Sequence, residues 1–450
     1  MKLSHILIGS AAVVVIAAVV TGSLGILTSG PNVIDPHRQI GPHPYLPEPH
    51  QYLLPPMRVG TIKGWENGAK PTVTAGLQIK AFATGMANPR NPYVLPNGDV
   101  LVAESGSPGG EGLVKPKSYA TRWGNSAAHN TTKPGNRIIL LRDADGDGVA
   151  ETKTVFMDQH FTSPFGIALV GNDLYIAMTG KVMRYPYVTG ETKITDKGVK
   201  LADLDTGQHH WTRGIGVSPD GTKLYIGIGS ASNVGEGGMI QEKDRAAVWE
   251  IDRATGARRV YATGLRNPNG MSFEPVSGKL FVVVNERDEL GPDLVPDYLT
   301  SVKEGGFYGW PYSYYGQHVD PRVMPQRPDL VASAIVPDYA LSSHVAPVGL
   351  AFNTTDDLGA KYNHGAFISE HGSWDRPEYN GYKVVFVPFA NGAPSGMAQD
   401  VVTGFVDPST DTVHGRPAAI AIDKKGGLLI ADDAGNTVWR VTAANQTAMK

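Results

Sequence analysis

The chain of 450 residues contains no cysteine. That absence excludes disulfide staples, thiolate metal centres and haem attached through a Cys-x-x-Cys-His motif. It leaves the compartment open, because many exported proteins also lack disulfides. Excess charge is missing too: 40 Lys and Arg stand against 43 Asp and Glu, a net of -3. There is no basic footprint for nucleic acid and no acidic tail. Turn formers are abundant, with 54 Gly and 33 Pro. Both residues punctuate connections and sit poorly inside helices, so the composition reads as a turn-rich β protein. The length allows one large domain or two ordinary ones.

The one long hydrophobic run is Ile6 to Leu27, uncharged and preceded by Lys2. At ~1.5 Å per residue it is long enough to cross a ~30 Å hydrocarbon core as a helix. Residues 1–27 are therefore expected to form a signal anchor, a transmembrane helix with Lys2 on the cytoplasmic side. The alternative is a cleavable signal peptide, with Ala17, Ala18, Gly22 and Ser23 as small residues near a processing site. Either way the folded part is expected outside the cytoplasm: periplasmic and held at the inner membrane, or secreted. Residues 28–71 are proline-rich, with Pro31, Pro36, Pro42, Pro44, Pro47, Pro49, Pro55 and Pro56. They read as a stiff linker, or else as an extended arm packed along the domain that follows.

From Thr72 to about residue 445 a pattern recurs. A proline or small-residue step opens a short apolar strand at Pro89-Arg90-Asn91, Pro164-Phe165-Gly166, Thr212-Arg213-Gly214, Pro268-Asn269-Gly270, Pro347-Val348-Gly349 and Pro417-Ala418-Ala419. A turn such as Pro96-Asn97-Gly98 or Pro219-Asp220-Gly221 follows, then a second apolar strand such as Leu224-Tyr225-Ile226 or Leu428-Leu429-Ile430. Four-stranded units repeated in this way predict an all-β fold, a six-bladed β-propeller. A β-sandwich or a pair of barrels does not account for the constant phase. The long gaps at 106–136 and 286–347 read as loops built onto one face, where such folds carry function.

In a propeller the residues just before each innermost strand gather at the mouth of the central channel. His210, Arg266, Asn267, His344, His414 and Arg416 hold those places. A single arginine there reads equally as an inter-blade salt bridge. The set as a whole suits a ligand with several carboxylates, since guanidinium meets carboxylate in a planar fork.

Several segments resemble the pyrroloquinoline-quinone (PQQ) dependent sugar dehydrogenases, the family of soluble glucose, aldose sugar and sorbosone dehydrogenases. They are Gly264 to Gly270, Asn285-Glu286-Arg287-Asp288-Glu289-Leu290-Gly291-Pro292-Asp293 and Gly306-Phe307-Tyr308-Gly309-Trp310-Pro311. The similarity runs from about Ala75 to Val441. It is nearest to the sorbosone branch through His209-His210-Trp211-Thr212-Arg213, Ser369-Glu370-His371-Gly372-Ser373-Trp374, Gly415-Arg416-Pro417 and Ala431-Asp432-Asp433-Ala434-Gly435-Asn436.

The resemblance implies PQQ and calcium as cofactors, a small-molecule sugar as substrate and a separate electron acceptor, a quinone or a cytochrome. His210 would be the general base, a task that suits imidazole because its ordinary pKa lies near operating pH. Arg266, Asn267 and Arg416 would contact the cofactor. His371 would be a further cofactor contact, standing near the position where relatives carry a cofactor-contacting lysine. Gly291 and Pro292 match a Gly-Pro step whose carbonyls hold calcium, and Asp297 resembles an acid shortly after it. No aspartate follows the strand at Ile228-Gly229, so the partner of His210 is open between Asn233 and Glu236.

Asp143-Ala144-Asp145-Gly146-Asp147-Gly148 opens like an EF-hand loop, but Thr154 stands at the twelfth place. It reads as a hairpin turn, with or without a structural calcium. Two other functional classes fit a propeller: a calcium-dependent lactonase-type hydrolase and a binding propeller without catalysis. The first would gather Glu, Asn and Asp side chains at the channel; the second would need neither His210 nor the Gly291-Pro292 step.

Overall fold

The computed structural model describes residues 33–52, 56–108, 133–159, 161–204 and 209–444. The apolar run Ile6 to Leu27 lies outside them. Among the described residues no helix is long and apolar enough to cross a membrane.

The fold is nearly all β. Sheet 1 comprises Pro89–Val94, Val100–Glu104, Arg137–Arg142 and Thr152–Met157, and sheet 2 Gly166–Val170, Asp173–Met178, Lys181–Pro186 and Val199–Asp203. Sheet 3 comprises Ile215–Val217, Lys223–Ile228, Ala247–Asp252 and Arg258–Thr263, and sheet 4 Asn267–Phe273, Leu280–Asn285, Pro296–Ser301 and Tyr339–Ser343. Sheet 5 comprises Pro347–Asn353, Gly365–Glu370, Lys383–Ala390 and Gln399–Thr403. Sheet 6 comprises Pro417–Ile422, Leu428–Asp432 and Thr437–Ala443, completed by Leu77–Ala83 from the other end of the chain.

The second strands are near-continuous apolar runs because both faces of every sheet are covered. Side chains alternate across a strand, so neighbours serve different cores. Leu429 packs with Phe82, Val100 and Val102 of sheets 6 and 1, while Ile430 packs with Phe367, Phe386 and Trp439 of sheets 5 and 6. Likewise Phe281 joins the core shared with sheet 5 and Val282 the core shared with sheet 3. Each sheet is thus sandwiched between two others. The first strands touch in the order 1 to 6, and sheet 6 returns to sheet 1. The result is a closed, propeller-like ring. At its centre Phe165, Val348 and Ala419 from sheets 2, 5 and 6 meet, with Trp211 against them.

Closure is antiparallel pairing of Leu77–Ala83 on Thr437–Ala443, with Ile79 opposite Val441 and Ala81 opposite Trp439. The described part of the proline-rich segment lies along the domain. Pro36–Gln39 forms a 3-10 turn capped by Asp35, whose side chain accepts from His37 N. Ile40–Gly41 then pairs with the outer strand of sheet 4, Thr61–Ile62 runs parallel to Thr412–Val413, and Thr72–Val73 extends sheet 5. Its backbone groups are thus taken up by the domain, as an arm rather than a free spacer requires.

Candidate active site

The openings of the first strands bring side chains from all around the ring to one mouth, in two connected clusters. The first is built on His210. Its Nδ1 lies 2.8 Å from Ser230 O, and Ser230 Oγ is 3.2 Å away. A carbonyl can only accept, so Nδ1 carries the proton and Nε2 is left as the basic nitrogen. Burial, with His209 and Arg266 nearby, pushes its pKa well below the ordinary histidine value. The imidazole is therefore neutral at pH 7. Arg213, fully buried, holds the loop from beneath by donating to His210 O at 2.8 Å and Thr179 O at 3.0 Å. Asn267 lies alongside: an added Cβ at Gly229 would sit 2.4 Å from both Asn267 Oδ1 and His210 Cβ. Only glycine lets these two side chains close over the strand end.

Arg266 links this cluster to an acidic pocket. It donates to Glu286 O at 2.6 Å, to Asn233 Oδ1 at 2.8 Å and to Asp288 Oδ2 at 3.2 Å. One ligand atom each from Asp288, His344 and Asp375 lies within 4.8 Å of the others. His344 Nδ1 is 3.5 Å from Asp288 Oδ1, and its Nε2 is 3.1 Å from Gly291 O. Burial favours the neutral imidazole, but the pair with Asp288 and the charges of Asp375 and Asp297 push His344 up to about 9. Burial and the Asp288 charge push Asp375 up to about 7. Both oxygens of Asp297 accept backbone N–H groups, from Glu286 at 2.6 Å and Ala346 at 2.7 Å.

The second cluster joins sheets 1, 5 and 6. Asp433 accepts from Arg90 and lies 2.9 Å from His371 Nε2. The Arg90 guanidinium sits 5.4 Å from the ring centre of Trp211, beside His210. Arg416 donates to His371 O at 3.1 Å and lies over Tyr382 at 5.6 Å. Burial and Arg416 push His371 down to about 3, so this ring too is neutral. The two clusters connect where His371 N donates to Ala346 O at 3.0 Å.

A family model described as TrAA12-like matches residues 128–296 and 330–444, more than half of the chain. The chain belongs to the TrAA12-like family. An uncharacterized protein of Borreliella burgdorferi is 29% identical over 296 residues, spanning 62% of this chain and 75% of that protein. The calcium structure of Trichoderma reesei Carbohydrate-Active Enzymes Family AA12 is 19% identical, with a TM-score of 0.67 over 84% of this chain and 100% of that one. The holo form of the pyranose dehydrogenase PQQ domain from Coprinopsis cinerea is also 19% identical, with a TM-score of 0.66 over 85% and 100%. At that identity the two structures share the fold.

On this TrAA12-like scaffold, His210, Arg266 and Asn267 adjoin one another, and His371 and Arg416 adjoin each other across the mouth. Three placements differ from the sequence reading. The partner of His210 is the Ser230 carbonyl; Asn233 instead bonds Arg266, and Glu236 accepts from Val234 N. His414 turns away, bonding Gly64 O at 3.1 Å and stacking on Trp65. Of the Gly-Pro step, Gly291 O faces the acidic pocket, whereas Pro292 O accepts a hydrogen bond from Arg376.

The mouth is also less cationic than a ring of Arg and His suggests, because Asp288, Asp375 and Asp433 face those groups. None of the three was singled out from the sequence, although each lies in or one residue beyond a family-like segment. The Asp143 loop caps the outer hairpin of sheet 1. There Asp143, Asp145 and Asp147 accept N–H groups of their own turn, and Glu151, at the ninth place, joins them.

Proposed function

We propose that this protein is a quinoprotein dehydrogenase on a six-bladed propeller, oxidising a sugar or sugar aldehyde of the aldose or sorbosone type. The observation that carries the chemistry is the Ser230 carbonyl on His210 Nδ1, which leaves a neutral imidazole with Nε2 free to accept a hydroxyl proton. Membership of the TrAA12-like family and the PQQ domain among its structural neighbours support the choice of cofactor.

The residues at the mouth fit both groups. Arg90 Nε and Asn267 Oδ1 are buried with no hydrogen-bond partner among the described residues. Arg90 and Arg416 suit a planar quinone bearing carboxylates, whereas Asn267 Oδ1, an acceptor, calls for a donor on the ligand. For calcium, the Asp288 and Asp375 carboxylates and the Gly291 carbonyl are hard oxygen donors around one pocket. Both carbonyls of the Gly-Pro step already accept a hydrogen bond, Gly291 O from His344 Nε2 and Pro292 O from Arg376, so each would have to exchange that donor for the ion. When bound, PQQ would supply the hydride acceptor, and calcium would supply a Lewis acid for its carbonyl.

The chain's own part is positional. Arg213 and Ser230 fix the His210 ring, His210 Nε2 takes the substrate hydroxyl proton, and Phe165, Val348 and Ala419 pack as an apolar cluster against Trp211, the neighbour of His210. Electrons then leave to a separate acceptor, a quinone or a cytochrome, since no thiol or haem-attachment motif is available. We place the domain in the periplasm, held at the membrane by residues 1–27.

Reconstitution with PQQ and calcium followed by dye-linked oxidation of a sugar panel tests this reading. Turnover that depends on both, and that His210→Ala abolishes while PQQ stays bound, is the expected result. Failure to bind PQQ overturns the assignment.

A further inference from the structure

The turn Glu289–Asp293, which carries Gly291, is held from three sides. Sheet 4 reaches it through His344 and Gly291 O. The loop after sheet 5's second strand reaches it twice: Asp375 Oδ2 accepts from Glu289 N at 2.8 Å, and Arg376 bonds Pro292 O and, at 3.0 Å, Asp293 Oδ1.

The third side is the N-terminal arm. Ile34 N donates to Asp293 Oδ2 at 3.1 Å, and His50 N donates to Leu290 O at 3.0 Å. Between them Gln39, with no exposed surface, donates from Nε2 to Asp293 O at 2.5 Å. Its Oε1 accepts from Ser343 Oγ at 3.0 Å and Ser342 Oγ at 3.4 Å. Asn380 Nδ2 donates to Ser342 Oγ at 3.0 Å and Ser343 O at 2.8 Å, extending the network to the loop that bears Asp375.

A spacer has no reason to bury an amide that makes three hydrogen bonds to the domain. Glutamine suits this place because it donates to a carbonyl at one end and accepts from hydroxyls at the other. An apolar side chain would leave Asp293 O without its donor and Ser343 Oγ without its acceptor, and a carboxylate could not donate to Asp293 O.

We propose that the arm is a working part of the site and that Gln39 is a positioning residue. It sets the Glu289–Asp293 turn so that Gly291 O and the Asp288 and Asp375 carboxylates meet on one cation. The cation part rests on the function proposed above, whereas the positioning of the turn does not. Groups one step removed from a metal commonly change its affinity by about 10–100-fold.

The test uses the full chain without PQQ. Amide exchange in metal-free protein reads the turn itself: Gln39→Leu is expected to speed exchange at Glu289 and Leu294, whose amides bond Asp375 and Gly291 O, by at least about tenfold. Titration with calcium alone should then show affinity about tenfold or more weaker than wild type. Gln39→Glu, which keeps an acceptor for the serines, should show both effects. Arg58→Ala, which cuts the arm's contact with Asp411 elsewhere, should show neither. Unchanged exchange at Glu289 and Leu294 in Gln39→Leu overturns the positioning role whatever calcium does. Faster exchange in a protein whose wild type binds no calcium keeps that role and overturns the cation reading instead.

Discussion

Replacing Gly229 with alanine asks whether His210 and Asn267 act as one unit. The new methyl group would lie 2.4 Å from Asn267 Oδ1, 2.4 Å from His210 Cβ and 2.9 Å from His210 Cγ. Ordinary contacts begin near 3.4 Å, so the two side chains must part by about 1 Å. Overpacking of this kind costs about 1–3 kcal/mol. In a domain this large that lowers Tm by only a few degrees. A catalytic group misplaced by about 1 Å costs about 100-fold in rate. Gly229→Ala is therefore expected to lose about 100-fold in kcat for sugar oxidation while unfolding within a few degrees of wild type. Gly216→Ala serves as the control, since its methyl group would meet nothing closer than 3.4 Å and should leave kcat intact. Wild-type kcat in Gly229→Ala would refute the placement of the reacting atoms at His210.

Two pH effects follow from buried groups. Burial pushes Glu370 up to about 8, against an ordinary value of 4.5. A folded-state value above the unfolded one gives stability that is complete below pH 4.5 and lost as pH rises through 8. Glu370→Gln, neutral throughout, should match wild type at pH 5 and exceed its Tm at pH 9; an equal difference at both pH values contradicts this. For His210 the shift is downward, so the base stays unprotonated below the ordinary histidine range. The acid limb of kcat/KM is expected below pH 6.5, and a limb at 6.5 or above would assign the proton transfer to another group.

The strand openings were legible because proline and glycine mark where strands begin, as at Pro89, Pro347 and Pro417. Which residue faces which core was not legible, because the second strands are apolar on both faces. His210, Arg266 and Asn267 were legible, since position relative to a strand opening decides what reaches the mouth. Partners were not. The bond that orients His210 ends on a main-chain carbonyl, which no residue type signals. Asp288 and Asp375 meet through the fold of two separate loops, and burial of a carboxylate has no pattern in sequence. The prolines of the N-terminal segment left a stiff linker and a docked arm both open, because docking depends on Gln39 finding Asp293 and two serines far along the chain.

Ring closure also sets a timetable. Gln78 in the closing strand bonds Ala443 O, 365 residues further on. At roughly 5–20 residues per second of synthesis, the first strand waits roughly 20–70 s for its partner. During that interval Leu77–Ala83 lacks its ladder partner Thr437–Ala443, and an unpaired edge is the kind of surface that invites pairing with a neighbouring chain. The ring that makes the finished protein robust is thus also the step at which a nascent copy is most exposed to its neighbours.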